Sequence, residues 1–216
     1  MSLLPDDKKE LLRNDFKEKL DYPVKIVMFT QETECRFCSD TRQLVQDIAT
    51  LSNKLSVEVY DFVKDAEKAK EYCVDKIPAL AIIGAKDYGV RIYGIPYGYE
   101  LQTLIEAIIN VSKGRGKTNL SDKTKSILSE IKNPVHIKVF VTLTCPHCPA
   151  AASVAHKLAI ESDMITADVI ETSEFPDLAM KHNVIGVPKI VVNDKTEFVG
   201  AFNEDLFTEN VLLGAF

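Results

Sequence analysis

Residues 135–148 read VHIKVFVTLTCPHC, a short apolar run followed by two closely spaced cysteines. The run over 135–140 is rich in β-branched residues, which is typical of a buried β-strand. Cys145 and Cys148 follow it as a Cys-x-x-Cys pair, and apolar residues then recur at helical spacing from Ala151 to Ala159. The stretch therefore predicts a strand, a turn that carries the cysteine pair, and a helix.

The same pattern occurs earlier in the chain. Cys35 and Cys38 precede the second pair by 110 positions, and a similar apolar run, Val24–Phe29, comes before them. Each pair is followed at the same distance by a β-branched residue and a proline, Ile77-Pro78 in the first case and Val187-Pro188 in the second. An internal repeat of this kind indicates two copies of one fold unit.

The hydrophobic pattern around these landmarks predicts the order αβαβαββα in each unit. Ser121 is the predicted N-cap of the first helix of the second unit. The fold class is therefore α/β, with two tandem units that are each a mixed four-stranded sheet flanked by helices. We predict an N-terminal unit over residues 1–112, a linker over 113–119 that lacks apolar periodicity, and a C-terminal unit over 120–216.

The composition is that of a globular protein, with 46% apolar and 27% charged residues. No apolar run approaches the ~18 residues of a transmembrane helix, and the first residues lack a signal-peptide pattern. We therefore expect a cytoplasmic protein without a membrane partner. The net charge of −6 and the absence of a concentrated basic face argue against nucleic-acid binding.

A Cys-x-x-Cys pair after a strand, followed by Ile-Pro or Val-Pro and a β-hairpin, resembles the thioredoxin fold. Two such units resemble the tandem, glutaredoxin-like protein disulfide oxidoreductases of thermophilic archaea and bacteria, over nearly the whole chain. The tetrapeptide over 145–148, CPHC, is also that of the bacterial periplasmic disulfide oxidase. The resemblance implies that Pro78 and Pro188 follow cis peptide bonds and face the cysteine pairs. It also implies that the backbone of Ile77 and Val187 pairs with client chains.

Disulfide exchange requires a thiolate, which the free N–H groups and the dipole of a helix N-terminus stabilise. Cys35 and Cys145 lie at that end of their helices, so we expect them to be the nucleophiles. Cys38 and Cys148, about one turn further on, are the predicted resolving thiols. Because His147 can stabilise the neighbouring thiolate, the C-terminal pair is the predicted stronger oxidant.

The chain departs from the family pattern in one respect. Many thioredoxins bury an acidic side chain in the strand before the cysteines, and neither strand here contains Asp or Glu. The group that deprotonates the resolving cysteines is therefore not evident. Asp61 and Glu171 share the 110-residue offset, but acids at strand ends are expected to face water.

Several residues have a less specific interpretation. Two Cys-x-x-Cys pairs are also the usual composition of a structural zinc site, although 106 residues separate these pairs and each lies in its own unit. Cys73 is expected to be a small buried side chain rather than a third redox centre. His136, His156 and His182 have no partner pattern and are expected to be structural.

The leading functional hypothesis is a protein disulfide oxidoreductase that forms, reduces or isomerises disulfides in client proteins. It needs no bound cofactor or metal, and a flavoprotein thioredoxin reductase is the expected redox partner. Intracellular disulfide chemistry of this kind favours a thermophilic source. The alternative is an electron-relay module that serves a peroxiredoxin or a ribonucleotide reductase. A chaperone or scaffold without redox chemistry is the third class, and there a Cys145→Ser change would have no effect.

Overall fold

The computed structural model describes residues 3–215, so residues 1, 2 and 216 at the ends of the predicted units lie outside the described residues. Helices and strands follow the predicted order twice. The first set is α1 (Asp6–Lys19), β1 (Val24–Thr30), α2 (Cys38–Ala49), β2 (Leu55–Asp61), α3 (Ala66–Glu71), β3 (Ala79–Ile83), β4 (Asp87–Tyr93) and α4 (Glu100–Lys113). The second set is α5 (Asp122–Leu128), β5 (Val135–Val141), α6 (Cys148–Glu161), β6 (Ile165–Glu171), α7 (Pro176–Lys181), β7 (Lys189–Val192), β8 (Thr196–Val199) and α8 (Glu204–Ala215).

The four strands of each set are arranged in the same way. Strand β1 pairs in parallel with β2 and antiparallel with β3, which in turn pairs antiparallel with β4. Strand β5 has the same relation to β6 and β7, and β7 pairs antiparallel with β8. The predicted pair of mixed four-stranded units is confirmed, and Ser121 caps α5 by accepting a hydrogen bond from the Thr124 amide.

The two sheets are joined, which the sequence pattern did not predict. Strand β4 pairs in parallel with β6 from Val90–Ala167 to Tyr93–Ile170, giving the order β2-β1-β3-β4-β6-β5-β7-β8. Each of these two strands would otherwise be a sheet edge with unpaired N–H and C=O groups. Their pairing removes two such edges and brings the last hairpin of the first unit alongside the second unit.

Helix packing continues across the junction. Helix α4 of the first unit packs against α6 of the second, and buried apolar side chains of both units form one cluster on this side of the sheet. The residues after α4 are also held, because the Glu161 carboxylate accepts hydrogen bonds from the amides of Gly116 and Thr118. The division of the chain at 113–119 remains a prediction. None of the helices within residues 3–215 is both long enough and apolar enough to cross a membrane.

Candidate active sites

Each cysteine pair is closed as a disulfide at the start of a helix. Cys35 is bonded to Cys38 and Cys145 to Cys148, with the two Cα atoms 5.5 Å apart in both cases. Helices α2 and α6 begin at the second cysteine of their pair, so the first cysteine lies just ahead of the helix N-terminus. The free N–H groups of the first turn are therefore near the first sulfur, as nucleophile activation requires.

The two sulfurs of each pair differ in accessibility. Cys35 is half-buried whereas Cys38 is 2% exposed, and Cys145 is 7% exposed whereas Cys148 is fully buried. Because a client must reach the attacking sulfur, this difference supports the predicted roles of nucleophile and resolving thiol. His147 is exposed at the N-cap position of α6, between the two cysteines of the C-terminal pair.

A cis proline lies at the same end of the sheet in each unit. The Ile77–Pro78 and Val187–Pro188 peptide bonds are cis. The strand register ends at Phe29–Ala79 and Phe140–Lys189, so each proline comes level with the last residue of the strand that precedes the cysteines. The structure therefore brings each predicted client-binding dipeptide to the sheet end from which its cysteine pair follows.

The residues before the two cis prolines have different character. Ile185 precedes Pro188 by three positions and is 98% exposed. The residue at the equivalent position of the first unit is Asp75, which forms an ion pair with Lys76. The ammonium group of Lys76 also lies 3.7 Å from the centre of the Tyr93 ring. The C-terminal site consequently has an apolar rim, and the N-terminal site has a charged one.

The first unit contributes to the surroundings of the second site. The Tyr99 amide donates a hydrogen bond of 3.0 Å to the carbonyl oxygen of Leu143, two residues before Cys145. Gly98 adopts a left-handed backbone with φ of +61°, and a Cβ atom there would overlap the same carbonyl oxygen. Tyr97 and Tyr99 themselves remain partly exposed. The turn into α4 thus packs directly on the active-site loop of the other unit.

Three acidic side chains cluster at this contact. Glu100 is buried at the start of α4, and its Oε1 atom has no hydrogen-bond partner among the residues described. Burial raises the pKa of Glu100 to about 7, and the nearby Glu171 carboxylate acts in the same direction. Burial also raises the pKa of Glu174 to about 7, although its Oε1 atom accepts a hydrogen bond from the Ile95 amide. Glu100 comes from the first unit, whereas Glu171 and Glu174 belong to the second, and the 110-residue repeat gives no signal for this arrangement.

The expectation that strand-end acids face water is wrong for Glu171, which is buried. Its carboxylate accepts hydrogen bonds from the Glu174 amide and the Ser173 hydroxyl. Asp61 accepts from the amides of Val63 and Lys64, and these bonds lower its pKa. Both acids therefore cap the turn that follows their strand.

The predicted burial of Cys73 is also wrong, because its side chain is exposed. Cys73 follows α3 in a left-handed conformation with φ of +53°, and Asn183 follows α7 with φ of +48°. In both places the next residue's amide bonds back to the helix, Val74 to Ala69 and Val184 to Ala179. This geometry is the helix-ending motif that favours glycine or asparagine, and it turns the side chain away from the core.

The histidines outside the cysteine pairs have varied environments. His136, for which no partner was expected, lies 2.7 Å from the Asp168 carboxylate. His156 is fully buried, and burial lowers its pKa to about 4. For the zinc alternative, the four motif cysteines are not brought together, since each pair is closed within its own unit. The described part of the chain has no group of three or more His, Cys, Asp or Glu side chains arranged so that they could hold a metal ion.

Comparison with known proteins agrees with this architecture. A thioredoxin domain family model matches residues 135–212. The thioredoxin of Methanocaldococcus jannaschii is 37% identical over 78 residues, which are 36% of this chain and 92% of that protein. The crystal structure of a protein disulfide oxidoreductase from Aeropyrum pernix superposes with a TM-score of 0.89 at 32% identity, covering 96% of this chain and 91% of the other.

A longer relative matches at lower identity. A component of the alkyl hydroperoxide reductase of Staphylococcus aureus is 25% identical over 191 residues, which cover 85% of this chain and 34% of that protein. The chain spans about a third of the length of the long curated relatives that it matches.

Two thioredoxin folds, each with a disulfide at a helix start beside a cis proline, define a thioredoxin-class oxidoreductase. The chain belongs to the family of tandem thioredoxin-fold protein disulfide oxidoreductases.

Proposed function

We propose that this chain is a protein thiol–disulfide oxidoreductase that forms, reduces or isomerises disulfides in client proteins through both cysteine pairs. One observation carries the proposal. In both units a disulfide joins a more accessible cysteine to a buried one at the start of a helix. This arrangement suits transfer of two electrons between the pair and a second protein, with no bound cofactor or metal required.

The exchange proceeds in two balanced steps. In the reducing direction, the Cys145 thiolate attacks one sulfur of a client disulfide, forms a mixed disulfide and releases the other client sulfur as a thiolate. The buried Cys148, after losing its proton, then attacks the Cys145 sulfur, closes the internal disulfide and releases the second client thiolate. The reverse sequence oxidises a client dithiol. Cys35 and Cys38 act in the same way in the first unit.

Client recognition rests on the cis-proline loops. Ile77 and Val187 are half-buried at the sheet end beside the cysteine pairs, where an extended client segment can add as a short strand. Main-chain pairing depends little on client sequence, which suits an enzyme with many protein substrates. We propose a thioredoxin reductase as the redox partner and the cytoplasm as the compartment, because the motif cysteines are redox pairs rather than a secreted disulfide scaffold.

Renaturation of scrambled ribonuclease and reduction of insulin test the proposal. We expect Cys35→Ser and Cys145→Ser each to remove the contribution of one site, and the double variant to lack activity. Cys148→Ser should accumulate a mixed disulfide between Cys145 and the client, visible on non-reducing gels. Cys73→Ser is the matched control, because it also removes a thiol but leaves both pairs intact. Full activity in the double variant would refute the proposal.

The electron-relay function is the second candidate. It is favoured by the similarity to the Staphylococcus aureus alkyl hydroperoxide reductase component over 85% of this chain. A relay predicts peroxiredoxin-coupled oxidation of a reduced pyridine nucleotide when a flavoprotein reductase is added, together with weak ribonuclease renaturation. The disulfide oxidoreductase function predicts the opposite ranking of the two activities.

A further inference from the structure

A cavity of about 470 Å³ opens where β4 of the first unit meets β6 of the second. Its lining includes Cys73, Arg91, Tyr93, His136 and Asp168, so both units contribute to it. None of these residues belongs to a cysteine pair or to a cis-proline loop. Asp75 of the N-terminal rim also borders the cavity, so the cavity adjoins that site but contains neither cysteine pair.

Two buried polar groups in this cavity have unused hydrogen-bonding capacity. Tyr93 is 1% exposed, lines the cavity, and its hydroxyl has no hydrogen-bond partner among residues 3–215. Asp168 is 6% exposed, and only its Oδ2 atom is engaged, by His136 at 2.7 Å. Its Oδ1 atom has no described partner. Neither atom is sealed from solvent, so a ligand in the cavity that donates hydrogen bonds can reach both.

The other buried charge in the cavity is already neutralised. The Arg91 guanidinium donates to both carboxylate oxygens of Asp87, at 2.9 and 2.5 Å, and to the carbonyl oxygen of Tyr72 at 2.9 Å. Arg91 is therefore not available to bind an anion. Asp75 also lines the cavity and is exposed to solvent. The unused groups are thus acceptors, and they suit a ligand with an ammonium group.

Cys73 adds a reactive group to the same cavity. It is the one described cysteine outside a disulfide, and its thiol is exposed. Its left-handed backbone is held by the bond from the Cys73 amide to the Lys70 carbonyl oxygen at 3.1 Å. Such a left-handed position favours glycine. Here it is occupied by Cys73, which lines the cavity.

We propose that this cavity binds a small aminothiol, which Cys73 holds as a mixed disulfide. The ammonium group of the ligand donates hydrogen bonds to the Asp168 carboxylate and the Tyr93 hydroxyl. In the covalent step the Cys73 sulfur attacks a small disulfide of the form RS–SR. One S–S bond breaks, the Cys73–SR bond forms, and one RSH molecule leaves with the thiol proton. The small disulfide is the oxidant, and neither active-site pair takes part.

The experiment uses the oxidised protein, in which both active-site pairs are closed and Cys73 is the free thiol. Cystamine carries two ammonium groups, and bis(2-hydroxyethyl) disulfide is a neutral analogue of similar size. The rate of adduct formation at Cys73 is followed by mass spectrometry and divided by the rate of an unstructured cysteine peptide with the same reagent. We expect this normalised rate to favour cystamine by about tenfold.

Tyr93→Phe and Asp168→Asn should each lower the ratio of the normalised rates, cystamine over the neutral disulfide, towards one. Tyr93→Phe removes one hydroxyl and no charge, so it tests the site separately from general attraction between charges. The matched control carries Cys73→Ser with Asn183→Cys, which places a thiol on the equivalent left-handed position of the second unit, away from the cavity. That control should show no preference. Equal normalised rates in the wild-type protein, an equal preference in the control, or a preference that neither cavity variant changes would overturn the proposal.

Discussion

The Tyr99 amide donates a 3.0 Å hydrogen bond to the Leu143 carbonyl oxygen and so joins the first unit to the active-site loop of the second. The bond comes two residues before Cys145 and one residue before the buried Glu100. The C-terminal site is consequently built from both units. No equivalent contact to the loop before Cys35 is found among the described residues, so the two sites are expected to respond differently to changes in the turn over 94–99.

Gly98→Ala tests how closely this turn must approach the loop. The new Cβ atom would overlap the Leu143 carbonyl oxygen, and the left-handed φ of +61° adds strain. We expect the free energy of unfolding to fall by about 2–3 kcal/mol. The rate of Cys145 alkylation in the reduced protein should also differ from that of the wild type. Gly116→Ala is the control, since its φ of +79° is also left-handed but nothing lies within 4 Å of the added atom. That variant should lose about 1 kcal/mol. Equal losses would show that the contact is unimportant.

Glu100→Gln should make stability less dependent on pH. The pKa of Glu100 is raised from 4.5 to about 7 in the folded protein, so the folded state holds a proton that the unfolded state has released. Stability from this group is complete below pH 4.5 and is lost as the pH rises through 7. The loss is about 3 kcal/mol. In urea unfolding we therefore expect the variant to match the wild type at pH 4.5 and exceed it at pH 8. Glu106→Gln, on the same helix but partly exposed, is the control.

The same substitution should affect chemistry at the C-terminal site. If Glu100 takes the proton that Cys148 must lose, the rate of insulin reduction will show an inflection near pH 7. We expect Glu100→Gln to remove this inflection in a background where Cys35 and Cys38 are both serine. The N-terminal site, measured with Cys145 and Cys148 both replaced by serine, should not respond. An unchanged profile at the C-terminal site would exclude the role of Glu100 as a proton carrier.

The sequence predicted most of the fold because the information was local. Strand runs, helix periodicity and the repeated proline each lie within one unit. Because the pattern occurs twice, the elements predicted in one half could be checked against those in the other. The pairing of β4 with β6 could not be predicted, because either strand has the pattern of a half-buried edge. Glu100 was missed for the same reason, since its neighbour Glu171 belongs to the other unit. Cys73 was misjudged because cysteine is usually buried, and the left-handed helix end after α3 was not considered.

The rims of the two sites predict different client preferences. Ile185 is 98% exposed before the second cis proline, and Asp75 is the equivalent residue before the first. Burial of part of an isoleucine side chain against a client contributes about 1.4 kcal/mol, which is about tenfold in affinity. Ile185→Asp should therefore raise KM about tenfold for disulfide peptides with apolar flanks at the C-terminal site. Asp75→Ile is the reciprocal variant and should lower KM for the same peptides at the N-terminal site.

These KM values are to be measured with one cysteine pair active at a time. Peptides with charged flanks provide the comparison, because neither variant should lower KM for apolar and charged peptides together. A parallel change in KM for apolar and charged peptides would mean that Ile185 supports the loop rather than contacts the client.

The redox potentials of the two pairs provide the last test. His147 is exposed at the N-cap of α6, between the two cysteines, where its imidazole is placed to stabilise a Cys145 thiolate and hence the reduced pair. The first site has Phe37 at the position of His147. Its cation, Arg36, is less well directed, because the guanidinium stacks on the Phe37 ring at 5.0 Å. We therefore expect the C-terminal pair to have the more positive potential. His147→Ala should lower it by about 30 mV, equivalent to about 1.4 kcal/mol for a two-electron couple.

Equilibration of each single-site protein with glutathione buffers gives both potentials. Arg36→Ala is the control in the first unit, and its effect should be smaller because that guanidinium stacks on the Phe37 ring. Raising the ionic strength should reduce the shift caused by His147→Ala, since it is electrostatic in origin. Equal potentials in the two single-site proteins, or a His147→Ala shift that salt does not alter, would mean that the helix N-terminus alone determines the stability of the thiolate.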